Sequence, residues 1–126
     1  MKEIISTDRA PKSKNPLSQA VRVGDLVFVS GQLGKKPSGE MANETLEAEC
    51  LQALENLKTV VEAAGGKMSQ VVKTLCFLEK LEYGEVFNPI YREYFPTDPP
   101  ARSAVGNTEL AGACRVEIEA IVHLKA

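Results

Sequence analysis

The stretch RVEIEAIVH, residues 115–123, decides how the sheet of this protein is built. Side chains of a strand alternate between its two faces. One face then holds only apolar residues: Val116, Ile118, Ala120, Val122 and Leu124. The other face holds Glu117, Glu119, Ile121 and His123. The first face belongs to a core, whereas the two carboxylates, about 7 Å apart at roughly 3.3 Å per residue, predict either a solvated surface or an acid beside a ligand.

Composition restricts the class of protein. A chain of 126 residues with 44% hydrophobic residues predicts one domain, residues 1–126, with a single core. The net charge of −2 gives no field that would attract nucleic acid, and the basic excess in the first 36 residues lacks the interleaved aromatics of a stacking platform. The sequence also lacks a signal-peptide pattern and an apolar run of membrane-spanning length, which predicts a cytoplasmic protein without a membrane partner.

The first half of the chain predicts a hairpin and a helix. Residues 18–23 and 26–30 are rich in β-formers and are separated by Gly24-Asp25, a two-residue hairpin turn. From Glu44 the apolar residues recur at three- and four-residue steps, with Asn43 predicted as the N-cap and Gly65-Gly66 as the stop.

The second half predicts three strands and one helix. VVKTLCFLE, residues 71–79, is a nearly continuous apolar run, which predicts a central strand covered on both faces. A helix is predicted over residues 83–95, ended by Pro96, with Pro89 tolerated if it falls in the first turn. PPARSAV, residues 99–105, and RVEIEAIVHLK, residues 115–125, are the last two strands.

The element order β-β-α-β-α-β-β, with room for a short extra strand at residues 3–6, predicts an α+β domain of two layers, with both helices on one side of a mixed sheet. The opposite face is then either solvated or covered by another subunit. Ile121 beside Glu119 favours a second subunit.

The residue inventory narrows the chemistry. His123 is the only histidine, and it stands at a strand end, so a multi-histidine metal site is excluded. The three cysteines lie far apart among apolar residues and predict buried free thiols, and no phosphate-binding glycine loop is present, so no metal or cofactor is predicted. Arg102, flanked by Ala101 and Ser103, either binds a small carboxylic acid near Glu117 or forms a salt bridge to Glu117 with no ligand.

Five segments in order carry a resemblance: NPLSQAV (residues 15–21), FVSGQLG (28–34), VFNPIYREYF (86–95), PPARSAV (99–105) and RVEIEAIV (115–122). With them the whole chain resembles the YjgF/RidA family of reactive-intermediate deaminases. The resemblance implies a chorismate-mutase-like fold, a homotrimer with sites between subunits, and hydrolysis of 2-imino or 2-enamino acids to 2-oxo acids and ammonia without a metal or cofactor.

The resemblance also implies roles for individual residues. Arg102 would bind the substrate carboxylate and Glu117 would position the attacking water, with Ser30 and Asn88 lining the site. The iminium carbon is already electrophilic, so orientation and modest base assistance suffice.

Three positions depart from the family pattern. Leu17 stands where many members have tyrosine, Gly84 where an aromatic often precedes the helix asparagine, and Ala104 where some have cysteine. A wider, less aromatic pocket is expected. The alternative function is a non-catalytic small-carboxylate-binding or regulatory protein using the same Arg102 pocket. Translation inhibition and RNA cleavage have also been attached to this family. The sequence has one histidine, so it has no pair of catalytic histidines that would support this interpretation.

Overall fold

Six strands and two helices form in the computed structural model, which describes residues 1–126. In chain order the elements are β1 (Lys2–Ile5), β2 (Ala20–Val23), β3 (Leu26–Leu33), α1 (Leu46–Ala63), β4 (Val71–Leu78), α2 (Gly84–Tyr94), β5 (Ala101–Val105) and β6 (Val116–His123). The predicted hairpin, the helices and the last strands are therefore present. The short extra strand at the N-terminus is confirmed as β1.

The strands make one mixed sheet in the order β1-β2-β3-β6-β4-β5. All neighbours are antiparallel except β4 and β5, which run parallel because α2 connects them. Both helices contribute to the same core with the buried face of the sheet. The predicted two-layer α+β fold is confirmed, and none of the helices is both long and apolar enough to cross a membrane.

The start of α1 differs from the prediction. Thr45, not Asn43, is the N-cap: its Oγ1 accepts a hydrogen bond from the Ala48 N–H at 3.0 Å. Asn43 lies two residues earlier and instead offers its backbone carbonyl to Arg115 Nη2 at 3.1 Å. The predicted stop is confirmed, since Gly65 follows the helix with φ +88°, a conformation that glycine adopts without strain.

Helix α2 begins at Gly84, directly after a 3₁₀ turn at Leu81–Tyr83. Pro89 therefore lies in its second turn, and the expectation that it falls in the first turn is wrong. Pro89 is on the exposed side, whereas Phe87 and Ile90 are buried, so the ring and the lost hydrogen bond do not disturb the core contacts.

One face of the sheet has no helix over it. In this single copy β4 buries only the side chains that point toward the helices, whereas Lys73, Leu75 and Phe77 remain half-buried, so the prediction of a strand covered on both faces is not met within one chain. Phe28, 44% exposed, lies beside Ile121 on this face. A solvent-exposed phenylalanine in a row of apolar neighbours is typical of a surface that another subunit covers.

The three cysteines are free and buried, as predicted. Burial raises the pKa of the Cys50 thiol to about 12 and that of the Cys76 thiol to about 11. Both thiols are protonated at neutral pH and are therefore poor nucleophiles.

Candidate active site

Arg102 projects from the sheet edge toward helix α2. In the parallel β4–β5 pair Arg102 lies opposite Thr74, whose hydroxyl is on the helix side, 2.8 Å from the Tyr91 hydroxyl. Arg102 Nη1 donates to Asn88 Oδ1 at 2.8 Å. Its Cζ lies 4.9 Å from the centre of the Tyr91 ring, a cation–π contact.

These contacts orient Arg102 without neutralising it. Asn88 and Tyr91 are three residues apart on α2 and so share one helix face. No carboxylate of the chain pairs with Arg102, which leaves most of its five N–H donors free for a ligand. Tyr91 is not among the site residues selected from the sequence, although its three-residue spacing from Asn88 is a signal that the two share this site.

A cavity of about 430 Å³ lies beside Arg102. Asn88, Gly84, Ala104 and Cys76 line it as well. A Cβ at Gly84 would meet only ordinary contacts, 3.7 Å from Asn88 Nδ2 and 3.8 Å from Leu78 Cδ1, so the missing ring leaves open space. Four sequence-predicted residues, Arg102, Asn88, Gly84 and Ala104, thus meet in one place.

Glu117 lies on the opposite face of the sheet. It is paired with Phe77 of β4 and Leu33 of β3, and its carboxylate lies against the backbone of Gly31. A Cβ at Gly31 would overlap Glu117 Oε2, so only glycine leaves room for this carboxylate. Gly31 was not assigned to the site from the sequence, although its place between Ser30 and Gln32 in the SGQ segment was a signal.

Burial raises the pKa of Glu117, and the negative charge of Glu119 raises it further. The Glu117 carboxylate takes part in none of the ion pairs of the chain. A half-buried, unpaired carboxylate with a raised pKa has the properties of a general base.

A second cavity, about 470 Å³ in volume, adjoins Glu117. Ser30 and Leu17 line it, so these two predicted residues meet Glu117 as expected. Ser30 Oγ donates to the Ser18 carbonyl at 2.6 Å, which leaves its oxygen lone pairs available to accept a hydrogen bond. Leu17 is 52% exposed at the mouth of the cavity.

A buried glutamine fixes the segment that carries Leu17. Gln19 Nε2 donates to the carbonyls of Thr7, Ala10 and Pro11 at 3.0–3.3 Å, and Gln19 Oε1 accepts from the Thr7 N–H at 2.7 Å. These bonds hold residues 7–11 against the start of β2. Gln19 was another residue that the sequence did not single out.

The predicted site residues form two groups in one chain. Thr74 and Phe77, the β4 partners of Arg102 and Glu117, are three residues apart and so point to opposite faces. The hypothesis of an Arg102–Glu117 salt bridge is therefore wrong for a single chain, whose ion pairs are formed elsewhere. A ligand could contact both residues only if two copies contributed one group each.

A buried ion pair fixes the start of β6 just before Glu117. Arg115 donates to Glu49 of α1 twice, from Nε at 2.8 Å and from its backbone N–H at 2.7 Å. Glu49 is 1% exposed. The contact spans 66 residues of chain, so no local pattern could have predicted it.

No cluster of three metal-binding side chains occurs in residues 1–126. His123 is at the end of β6, where Nδ1 accepts from the Lys125 N–H at 3.2 Å, outside both cavities. The strand-end position predicted for it is confirmed.

Comparisons with known proteins identify a family and a shared fold. A family model described as Endoribonuclease L-PSP matches residues 7–124. The 2-iminobutanoate/2-iminopropanoate deaminase of Dermatophagoides farinae is 46% identical over 98% of both chains, and the human protein of the same name is 38% identical over 96% of this chain and 89% of its own. The crystal structure of RidA from an Antarctic Psychrobacter bacterium superposes with a TM-score of 0.92 at 39% identity, covering 96% of this chain and 98% of that one.

Proposed function

Because the chain belongs to the Endoribonuclease L-PSP family, to which the YjgF/RidA motifs of its sequence also point, we propose that it hydrolyses 2-imino and 2-enamino acids to 2-oxo acids and ammonia. Its role would be the removal of reactive metabolites. In this proposal residues 1–126 act as one catalytic domain in the cytoplasm, with a small 2-imino acid as ligand and neither metal nor cofactor.

One observation carries the proposal: Arg102 is held in place by Asn88 and Tyr91 and yet has no anionic partner. A guanidinium in that state presents a planar fork that matches a carboxylate. Binding the substrate carboxylate there fixes the adjacent C2 atom, the imine carbon, and orientation alone can lower a barrier by several kcal/mol.

Glu117 supplies the base. It takes a proton from water while the water oxygen bonds to C2, which converts the iminium to a carbinolamine. The protonated Glu117 then gives that proton to the amine nitrogen. A second proton leaves the carbinolamine hydroxyl for solvent as the C–N bond breaks, which releases ammonia and the 2-oxo acid. The raised pKa of Glu117 suits both roles, since it lies closer to neutrality than that of an ordinary carboxyl.

Ser30 orients the nitrogen. Its hydroxyl donates to the Ser18 carbonyl, so the Ser30 oxygen is left as an acceptor for an imine N–H. Leu17 and Gly84 offer no ring, which favours a wide pocket on both sides of the site.

We further infer that the active site forms between copies in a homotrimer. Arg102 and Glu117 lie on opposite faces of one chain, and the helix-free sheet face with Phe28 and Ile121 supports the burial that a trimer would provide. Each interface would join the Arg102 cavity of one copy to the Glu117 cavity of the next.

The test is release of 2-oxo acid from an imino acid generated in the assay by an amino-acid oxidase. The parent should accelerate it, and Arg102→Ala and Arg102→Lys should both lose roughly 30- to 1000-fold in kcat/KM, which corresponds to about 2 to 4 kcal/mol. Lysine keeps the charge without the fork.

The control for both variants is their mass and melting temperature, which should match those of the parent. Parental rates in a folded Arg102→Lys variant would contradict the role of the fork. No turnover by the parent, with saturable binding of 2-oxo acids that Arg102→Ala abolishes, would instead establish the non-catalytic alternative. The endoribonuclease activity in the family description finds no support in the site, where neither cavity contains a histidine.

A further inference from the structure

The two cavities have rims of opposite charge. Apart from Arg102, the charged residues that line the first cavity are Glu82 and Glu85. Apart from Glu117, those that line the second are Lys12, Lys14 and Lys35.

Four of these rim charges have no partner within the chain. Lys12 forms an ion pair with Asp8 at 2.7 Å, but Glu82, Glu85, Lys14 and Lys35 form none. The acidic pair is exposed, as is Lys14, and Lys35 is partly exposed.

Each rim also carries one exposed leucine. Leu81 of the Arg102 cavity is 56% exposed, and Leu17 of the Glu117 cavity is 52% exposed. Protein interfaces usually have an apolar centre and a polar rim. A large apolar side chain surrounded by charges has this arrangement.

We propose that the rims meet across the interface between two copies, with Glu82 and Glu85 of one copy facing Lys14 and Lys35 of the next and Leu81 packing on Leu17. This inference rests on the two-copy site of the proposed function and identifies the contacts that set its alignment. Complementary charges mainly fix the relative orientation of two partners and exclude wrong pairings. A cleft assembled from two half-sites requires such a fixed orientation.

The observations favour a second copy over a second carboxylate on the substrate. A distal carboxylate would use Lys14 and Lys35, but it would be repelled by Glu82 and Glu85 on the facing half-site. Only a surface that carries both signs satisfies both rims, and another copy of this chain is such a surface.

Charge reversal tests the proposal. Lys14→Glu with Lys35→Glu, and separately Glu82→Lys with Glu85→Lys, place like charges opposite one another in every interface. Each double variant should weaken self-association at least about tenfold, measured by sedimentation without substrate. The variant with all four changes should recover most of the parental affinity, because each interface again joins opposite charges.

Matched controls reverse charges that line neither cavity. Lys2→Glu with Lys67→Glu, and Glu47→Lys with Glu93→Lys, all at exposed positions, change the net charge by the same amounts. Self-association of these controls should remain within about twofold of the parent, because exposed charges away from an interface act weakly.

Three outcomes overturn the proposal. The fourfold variant could associate as poorly as the double variants, or the parent could be a monomer. In the third outcome, the lysine reversals leave assembly intact and slow only imino acids with a second carboxylate, which would assign Lys14 and Lys35 to substrate selection. A parent that assembles and responds to charge reversal but has no deaminase activity would refute the proposed function and leave this inference standing.

Discussion

At the residue scale, the ionisation of Glu117 depends first on burial and second on Glu119. The charge of Glu119, together with the larger effect of burial, raises the pKa of Glu117, and the base works only when deprotonated. Activity should therefore fall as the pH drops through that raised pKa. Glu119→Gln removes the repulsion, so the acidic limb of kcat/KM should move to lower pH while the rate on the plateau changes little. An acidic limb that stays in place would contradict the proposed coupling.

Gly31 gives a second prediction at this scale. In Gly31→Ala the new methyl group occupies the position of Glu117 Oε2, and the end of a flexible side chain can move away at low cost to folding. We expect kcat to fall at least about tenfold, a barrier increase of about 1.4 kcal/mol, with a melting temperature close to that of the parent. Parental kcat would show that the carboxylate position is not critical.

The individual residues of the candidate site could be identified from the sequence, but their arrangement in space could not. Arg102, Asn88, Ser30 and Glu117 were all selected from motifs, and each lines one of the two cavities. Which face Arg102 takes depends on the register of β5 against β4, and that register is set by tertiary packing. The sequence therefore left an Arg102–Glu117 salt bridge open, and only the strand pairing excludes it within one chain.

At the scale of the secondary-structure elements, the Glu49–Arg115 ion pair joins α1 to the start of β6, the strand that carries Glu117. Glu49→Ala leaves Arg115 without its partner in a largely buried setting, so the free energy of unfolding should fall by about 3–5 kcal/mol. Glu47→Ala, an exposed position in the same first turn of α1, is the control and should change it by less than about 0.5 kcal/mol. Equal effects in urea unfolding would show that the pair does not stabilise this junction.

Periodicity predicted the elements well where the pattern was long. The alternation in β6 and the apolar steps of α1 each gave the buried face correctly. Boundaries were less certain, because Asn43 and Thr45 are both good N-caps. The hydrogen bond from the Arg115 side chain to the Asn43 carbonyl, which is remote in sequence, accompanies the choice of Thr45. The helix-free face of β4 stays half-buried in one chain, because an apolar strand pattern shows that a face is apolar and not what covers it.

At the scale of the whole molecule, the proposed trimer predicts a definite mass in solution. The parent should sediment with about three times the 13.7 kDa chain mass. Phe28→Asp places a charge on the helix-free face, so this variant should dissociate to folded monomers that retain helical circular dichroism and lose deaminase activity. A trimeric Phe28→Asp variant would mean that the interface lies on another surface.

The central claim is that each active site takes Arg102 from one copy and Glu117 from another, and mixing two impaired variants tests it most directly. Arg102→Ala and Glu117→Gln should each retain at most about 3% of the parental activity alone. After subunit exchange in an equal mixture, about a quarter of the interfaces should join an intact Arg102 to an intact Glu117. The account predicts recovery of about a quarter of the parental activity, and a mixture that exchanges subunits completely but gains no activity would contradict it.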